Sequence, residues 1–333
     1  MRVVVADPPA FTPPYDHALA TALAREGAEV ELLTSRFRFG EVPAPDGYTR
    51  REIFYPLSSR LFRRSPLRLP LKVLEHPFGM ARLAAAQADV VHLQWLGLPE
   101  VDAWILRSRA PLVLTAHDLL PRRTARRHRV WRRLFRRFER IVIHSERGRE
   151  TLAALGVPRD KLRVIPHPVL PGETTSGGDG RTVLALGLVR PYKQLEHARE
   201  AVARVAGARL RIAGDVNGFL PQSEIDRALA ESTVAVFPYR AELDQSGALL
   251  QALGAGMPAV VYDVGGLGEP VQNFGAGRVV APDDVDGLAA ALRELLDDEE
   301  ALAEARAGAL RARDELTWAA SARAHADLYR ELT

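Results

Sequence analysis

Short apolar runs alternate with segments of helical spacing along the whole chain. Residues 2–6, 30–34, 89–95, 112–116, 141–144 and 163–165 are rich in Val, Ile and Leu and lack the i, i+3, i+4 period of a helix. Such runs suit strands buried on both faces, as in a parallel sheet covered by helices. After the first run the spacing predicts a helix over residues 15–26, with Leu19, Ala22 and Leu23 on one face and Gly27 at its end. A second series of strands is expected at 182–186, 210–213, 234–237, 259–262 and 278–280. Helices over about 285–313 and an amphipathic segment at 318–332 follow it. The alternation is that of two successive α/β domains.

Between the two series lies PGETTSGGDGR, residues 171–181, dense in Gly, Ser and Thr and without apolar period. It reads as an interdomain linker. The expected division is a first domain at 1–171, a linker at 172–181, a second domain at 182–316, and a last helix at 317–333 packing back towards the first. The stretch 214–234 is short, with room for one helix, so the second sheet is expected to have five strands. Two parallel-sheet domains imply a ligand cleft at the carboxyl ends of their strands.

The densest chemistry lies in FPYRAELDQSGALLQALGAGMPAVVYDVGGLG, residues 237–268, which reads as strand, polar loop, helix, strand and glycine turn. The helix begins at Gly247 and Ala248, and small residues there leave N–H groups and a positive dipole end open to a phosphate. An ordinary βαβ turn of small residues is an equal reading of this stretch alone. Gly187, Arg190 and Lys193 shift the balance. They follow the first strand of the second domain in GLVRPYK, two cations at a strand end where a diphosphate needs them. In the first domain His117-Asp118 ends the strand 112–116, a place from which an imidazole reaches a sugar hydroxyl or phosphate oxygen. His92 and His144 read as core, and His167, between two prolines, as a turn residue.

Charge separates the halves. Residues 1–170 hold 29 Lys and Arg against 17 Asp and Glu, and residues 171–333 hold 16 against 25. An anionic partner is therefore expected for the first half only. Its source is RRTARRHRVWRRLFRRFER, residues 122–140, with ten arginines and one acid. Val130, Trp131, Leu134, Phe135 and Phe138 share one helical face there, so Arg122, Arg123, Arg132, Arg133, Arg136 and Arg137 are candidates for an acceptor or membrane surface. The competing reading has the stripe packed on the sheet and the arginines solvated. No RNA- or DNA-binding motif accompanies the charge, which disfavours nucleic acid.

The chain has no cysteine, which removes disulfides and thiolate chemistry, and no paired histidines at metal-ligand spacing. No run of about 18 apolar residues is present. Its start in a strand, without a signal-peptide pattern, fits a cytoplasmic protein, peripheral at the inner membrane face if the basic segment binds lipid.

LTAHD (114–118), IVIHSERGRETLAALGVPRDKLRVIPHPV (141–169), LALGLVRPYK (184–193), LRIAGD (210–215), the stretch 237–271 and TWAASARAHADLY (317–329), in this order, resemble the family-4 retaining glycosyltransferases. The resemblance covers most of residues 111–333. It implies a GT-B fold, two Rossmann-like parallel-sheet domains facing across a cleft. It also implies transfer of a sugar from a nucleoside diphosphate sugar to a sugar, lipid-linked or small-molecule acceptor, with no metal and no cofactor. Arg190 and Lys193 are then expected to hold the donor diphosphate, Gln245, Ser246, Gly247 and Ala248 to offer it backbone N–H groups, Gln251 to meet a ribose, and His117 to stand beside the transferred sugar. Two departures stand out. The family's paired glutamates fall at Leu243 and Gln251, and its Gly-Gly turn after the first strand is replaced by Asp7 to Pro14. A nucleotide-sugar epimerase of the same fold, or a non-catalytic binding module, are the alternative readings.

Overall fold

The computed structural model of the chain describes residues 1–37, 40–61, 65–121, 124–170, 177–214, 220–240 and 245–333. They form two compact units, Met1–Pro166 joined by Trp318–Thr333, and His167–Thr317. Residues 172–176, half of the expected linker, lie outside the described residues, as does Pro171.

The first unit is built on seven parallel strands, β1 (Arg2–Asp7), β2 (Glu29–Ser35), β3 (Thr49–Phe54), β4 (Val90–Leu93), β5 (Leu112–Thr115), β6 (Arg140–Ile143) and β7 (Leu162–Val164). Their order is β3-β2-β1-β4-β5-β6-β7. Val3, Val4, Val5 and Ala6 put no surface in solvent, because β1 lies between β2 and β4 with both faces covered. The covering helices are α1 (Pro13–Arg25), α2 (Arg68–Ala84), α3 (Pro99–Ile105), α4 (His128–Phe135) and α5 (Glu146–Ala154). α1 opens on Pro13 and Pro14, where a missing N–H leaves no helical bond unmade, and buries Leu19, Ala22 and Leu23 as expected.

β3 is the element that the apolar pattern does not announce. Its sequence TRREIF buries only Ile53 and Phe54, and its charges line an edge strand, where they discourage further pairing. Phe54 carries α2: a Cβ on Gly79 would stand 2.4 Å from the Phe54 ring, so the helix rests on that ring by its backbone.

The basic stretch 122–140 also differs from expectation. Among its described residues only His128–Phe135 is helical, and Arg122 and Arg123 lie outside the described residues. Trp131, Leu134, Phe135 and Phe138 are all buried in the cluster formed with β5 and β6. The apolar stripe is therefore fully engaged in packing.

The last helix of the chain, Trp318–Arg330, belongs to this first unit and packs on α1. Tyr329 is wholly buried and its hydroxyl is hydrogen-bonded to His92 Nδ1 at 2.6 Å, while His92 Nε2 is hydrogen-bonded to Thr115 Oγ1 at 2.8 Å. Burial holds His92 well below the usual imidazole range and His325 down to about 4, so both rings are neutral.

In the second unit the strands are β8 (Thr182–Leu186), β9 (Arg209–Ala213), β10 (Val234–Phe237), β11 (Ala259–Tyr262) and β12 (Gly277–Val280), in the order β12-β11-β10-β8-β9. Among the described residues this sheet has the five strands expected. Its helices are α6 (Leu195–Ala203), α7 (Gln222–Ala230), α8 (Gly247–Gly254), α9 (Gly268–Phe274), α10 (Val285–Asp297) and α11 (Glu299–Glu315), and the chain's last helix is α12. α7 is the helix for which 214–234 has room. The helices expected over about 285–313 are α10 and α11, separated by Asp298, whose Oδ1 accepts from the N–H groups of Glu300 and Ala301 and starts α11.

Candidate functional site

At the carboxyl end of β8 the chain turns at Gly187 with φ +91°. A Cβ there would lie 2.9 Å from Lys193 Nζ and 3.3 Å from the Ala248 Cβ, so only glycine lets strand, cation and α8 approach one another. Lys193 ends a 3₁₀ turn, Pro191–Lys193, and is 6% exposed. Its ammonium donates to the Leu186 carbonyl at 2.9 Å and lies 5.1 Å from the centre of the Tyr239 ring. Burial, with the nearby Arg190 second, lowers it to about 8. Among the described residues it has no carboxylate partner, and a desolvated ammonium of this kind favours a bound anion. Arg190 is half-buried on the same turn and donates to the Val189 carbonyl at 2.9 Å.

α8 begins beside this turn. Ser246 is its N-cap and its Oγ accepts from Leu249 N at 3.4 Å, which leaves the first N–H groups of the helix, on exposed Gly247 and half-buried Ala248, to an outside acceptor. Gln245 is held by donation from Nε2 to the Gly266 carbonyl at 3.1 Å. Gln251 lies one turn further along the same helix and is half-buried. Gly187, Arg190, Lys193 and the helix start at 245–248 thus form one group in the second unit. Leu243, where the first of the paired glutamates is missing, lies outside the described residues.

In the first unit His117 follows β5 and is enclosed by aromatic rings. It stacks on Trp95 with centroids 5.1 Å apart and planes 16° apart, and meets the edge of Tyr15 at 4.7 Å. Nε2–H donates to Gln94 Oε1 at 3.0 Å, and Gln94 is completely buried after β4. The carboxamide therefore fixes the plane of the imidazole. Trp95 is fixed in turn by its Nε1 donation to Thr12 Oγ1 at 2.8 Å.

The turn that replaces a glycine pair after β1 has its own polar centre. Asp7 Oδ2 accepts from Phe11 N at 2.7 Å and Thr12 N at 3.2 Å. Burial pushes the Asp7 carboxyl up and, with the Asp7 charge as a second cause, Asp16 further, so the pair is favoured with one shared proton.

Residues 15–171 match Glycosyltransferase Family 4, and residues 180–298 match Glycosyl transferases group 1. The chain belongs to the glycosyltransferases of the GT-B fold. The D-inositol 3-phosphate glycosyltransferase of Mycobacterium marinum is 26% identical over 341 residues, 83% of this chain and 71% of that protein. An exopolysaccharide phosphotransferase of Streptomyces coelicolor is 30% identical over 188 residues, 49% of this chain, but the match spans only 20% of that protein's length. Among solved structures, Anabaena HepE in complex with UDP-glucose superposes with a TM-score of 0.70 at 15% identity, covering 100% of both chains.

Sequence reasoning missed several neighbours of these residues in the glycosyltransferase. Gln94 and Trp95 end the run 89–95, so a strand's carboxyl end was the available signal. His144, read as core, is indeed buried and donates from Nδ1 to the Ile165 carbonyl at 2.9 Å, but its ring also lies 5.4 Å from that of His117. Tyr239 carried no signal, since an aromatic after a buried strand is ordinarily core.

The arginine candidates divide. Arg132 and Arg136 are exposed. Arg133 Nε donates to the Ala103 carbonyl at 2.9 Å with its guanidinium 3.7 Å over the Trp104 ring, and Arg137 reaches the same carbonyl at 3.5 Å. These two satisfy the carboxyl end of α3.

Proposed function

We propose that the chain transfers a glycosyl group from a nucleoside diphosphate sugar to an acceptor hydroxyl with retention of configuration and without a metal. The observation that carries this reading is Lys193, a buried ammonium with no carboxylate partner among the described residues, set between the Gly187 turn and the open start of α8. Lys193 and Arg190 bind the diphosphate, the N–H groups of Gly247 and Ala248 hold its oxygens, Gln245 and Ser246 shape that turn, and Gln251 meets the ribose. The bond from the anomeric carbon to the phosphate oxygen breaks, and the acceptor oxygen bonds to the same face of that carbon. The acceptor proton passes to the departing phosphate, so the enzyme supplies position and charge stabilisation in place of a nucleophile. His117, oriented by Gln94 and Trp95, sits beside the transferred sugar.

HepE holds UDP-glucose on the same fold, so uridine diphosphate sugars are the first donors to try. The acceptor is read as lipid-linked, presented at an anionic membrane surface to which Arg132 and Arg136 are drawn.

A thermal-shift panel of nucleoside diphosphate sugars tests the donor. A ligand at a hundredfold its Kd stabilises by about 2.7 kcal/mol, so one class of nucleotide is expected to raise the melting temperature clearly. No shift with any of them overturns the reading. Isomerisation of the bound sugar in the absence of an acceptor would instead indicate an epimerase.

A further inference from the structure

We propose that the outward face of α2, together with Trp104 and the outer arginines of α4, is a surface that inserts into an anionic lipid leaflet. The proposal deepens the lipid-acceptor reading and rests on it for its purpose. α2 is amphipathic in the reverse sense to an ordinary surface helix. His76, Gly79, Met80 and Leu83 face inward, whereas Leu67, just before the helix, and Leu69, Val73, Leu74 and Phe78 leave 42–73% of their surfaces in solvent. Single exposed leucines are ordinary, but a row of them along one helix is a contiguous apolar patch, and such patches mark contact surfaces.

The helix is secured from its inner side by other means. Tyr55 donates its hydroxyl to His76 Nδ1 at 2.7 Å, and His76 Nε2 is bonded to Asp102 Oδ1 at 2.5 Å, all three residues being buried. Gly79 rests on Phe54. The outer leucines and Phe78 are therefore not needed to hold α2 in place.

The patch continues sideways. Pro77 and Ala81 of α2 line one side of a surface cavity of about 460 Å³ whose other side is Trp104, itself 62% exposed. Trp104 also lines a second cavity, with Arg129, Arg132 and Arg136 of α4. These arginines are exposed, and the acids of the neighbouring helices are engaged elsewhere. Glu75 accepts from the N–H groups of Leu57 and Ser58, Glu100 pairs with Arg127, and Asp102 is buried. Apolar side chains, a tryptophan at the border and uncompensated cations alongside are complementary to acyl chains, the interfacial zone and lipid phosphates respectively. A second copy of the chain fits less well, because a two-fold contact would bring the same arginines together. Among the described residues no helix is long and apolar enough to cross a membrane, so the element lies in the surface plane.

The test is sedimentation of the full chain with phosphatidylcholine vesicles, with and without phosphatidylglycerol. Wild type is expected to sediment with the anionic vesicles at low salt and to be released by salt. Leu74→Ser with Phe78→Ser should lower this binding by about tenfold or more, and Arg129→Glu with Arg132→Glu and Arg136→Glu should abolish it. Both variants change exposed residues, so an unaltered melting temperature and donor shift will confirm that they fold. Wild type that ignores anionic vesicles, or a Leu74/Phe78 variant that binds as well as wild type, overturns the proposal. So does a wild-type dimer that the same variant converts to monomer, since the face then joins two copies. Vesicle binding with transfer only to soluble acceptors would leave the surface standing and remove the lipid acceptor. Transfer to a detergent-dispersed lipid acceptor without vesicle binding would do the reverse.

Discussion

The ammonium of Lys193 and the α-carbon of Gly187 define each other's position: a Cβ at residue 187 would stand 2.9 Å from Nζ, at a backbone φ of +91°. Gly187→Ala therefore imposes both a left-handed alanine and a displaced cation. The conformational part costs about 1–2 kcal/mol of stability, and the displaced ammonium should weaken nucleoside diphosphate binding by about tenfold or more. Denaturant midpoints and titration calorimetry measure the two separately. Wild-type affinity in the alanine variant would show that Nζ is not a phosphate ligand.

Donor affinity should depend on pH through Lys193. Burial and Arg190 lower the lysine to about 8, and a bound diphosphate favours its charged form. Affinity is thus expected to be level up to about pH 7 and to fall as pH rises through 8. Calorimetry from pH 6.5 to 9.5 reads this directly, and a flat profile would exclude the lysine from the phosphate site.

Arg190→Ala and Lys193→Ala should each weaken a nucleoside diphosphate by roughly 1.5–3 kcal/mol and leave the bare nucleoside nearly unchanged. Competition binding with the matched pair of ligands separates charge recognition from structural damage. Equal losses for the two would mean that the residues only shape the turn.

For His117→Ala the loss should lie in turnover, on the order of 10²-fold, with donor affinity largely retained. Gln94→Leu removes the acceptor that fixes the imidazole and should lower turnover in the same direction but by less. Steady-state rates beside donor calorimetry report the split. A folded His117→Ala enzyme with wild-type turnover removes this residue from the reaction.

Acid should destabilise the first unit before ordinary carboxylates titrate. His325 is held to about 4 by burial, against 6.5 in the unfolded chain, and His92 is lowered by the same cause. Both lowered values mean that the unfolded state binds more protons once pH falls below about 6.5, so stability present above that pH is lost on the way down. For His325 alone the loss approaches roughly 3 kcal/mol by pH 4. Melting temperatures between pH 7 and 5 should fall, and His325→Gln should flatten part of the slope. An unchanged wild-type midpoint across that window would contradict neutral burial.

The strands that run under both faces of their sheets were legible in the sequence because burial on two sides demands unbroken apolar runs. β1, β5, β8, β10 and β11 are of this kind, and the five strands of the second sheet among the described residues followed from five apolar runs and the short connection at 214–234. Gly187, Arg190, Lys193 and the start of α8 were legible for a related reason, since a turn at a strand's carboxyl end needs small or conformationally fixed residues. β3 was not legible, because an edge strand satisfies its partner on one side only and tolerates charges elsewhere. Nor was the fate of the two amphipathic helices. Sequence periodicity shows that a helix has an apolar face but not which way that face turns. Only the tertiary structure decided that α4 buries its aromatic stripe while α2 presents its leucines and Phe78 to solvent, because Gly79 and the Tyr55–His76–Asp102 chain hold α2 from its other side. The same limit applies around His117. Gln94, Trp95, Tyr15 and His144 come together from separate elements, and contacts between residues so far apart in the chain exist only once the sheet has brought its strand ends into line.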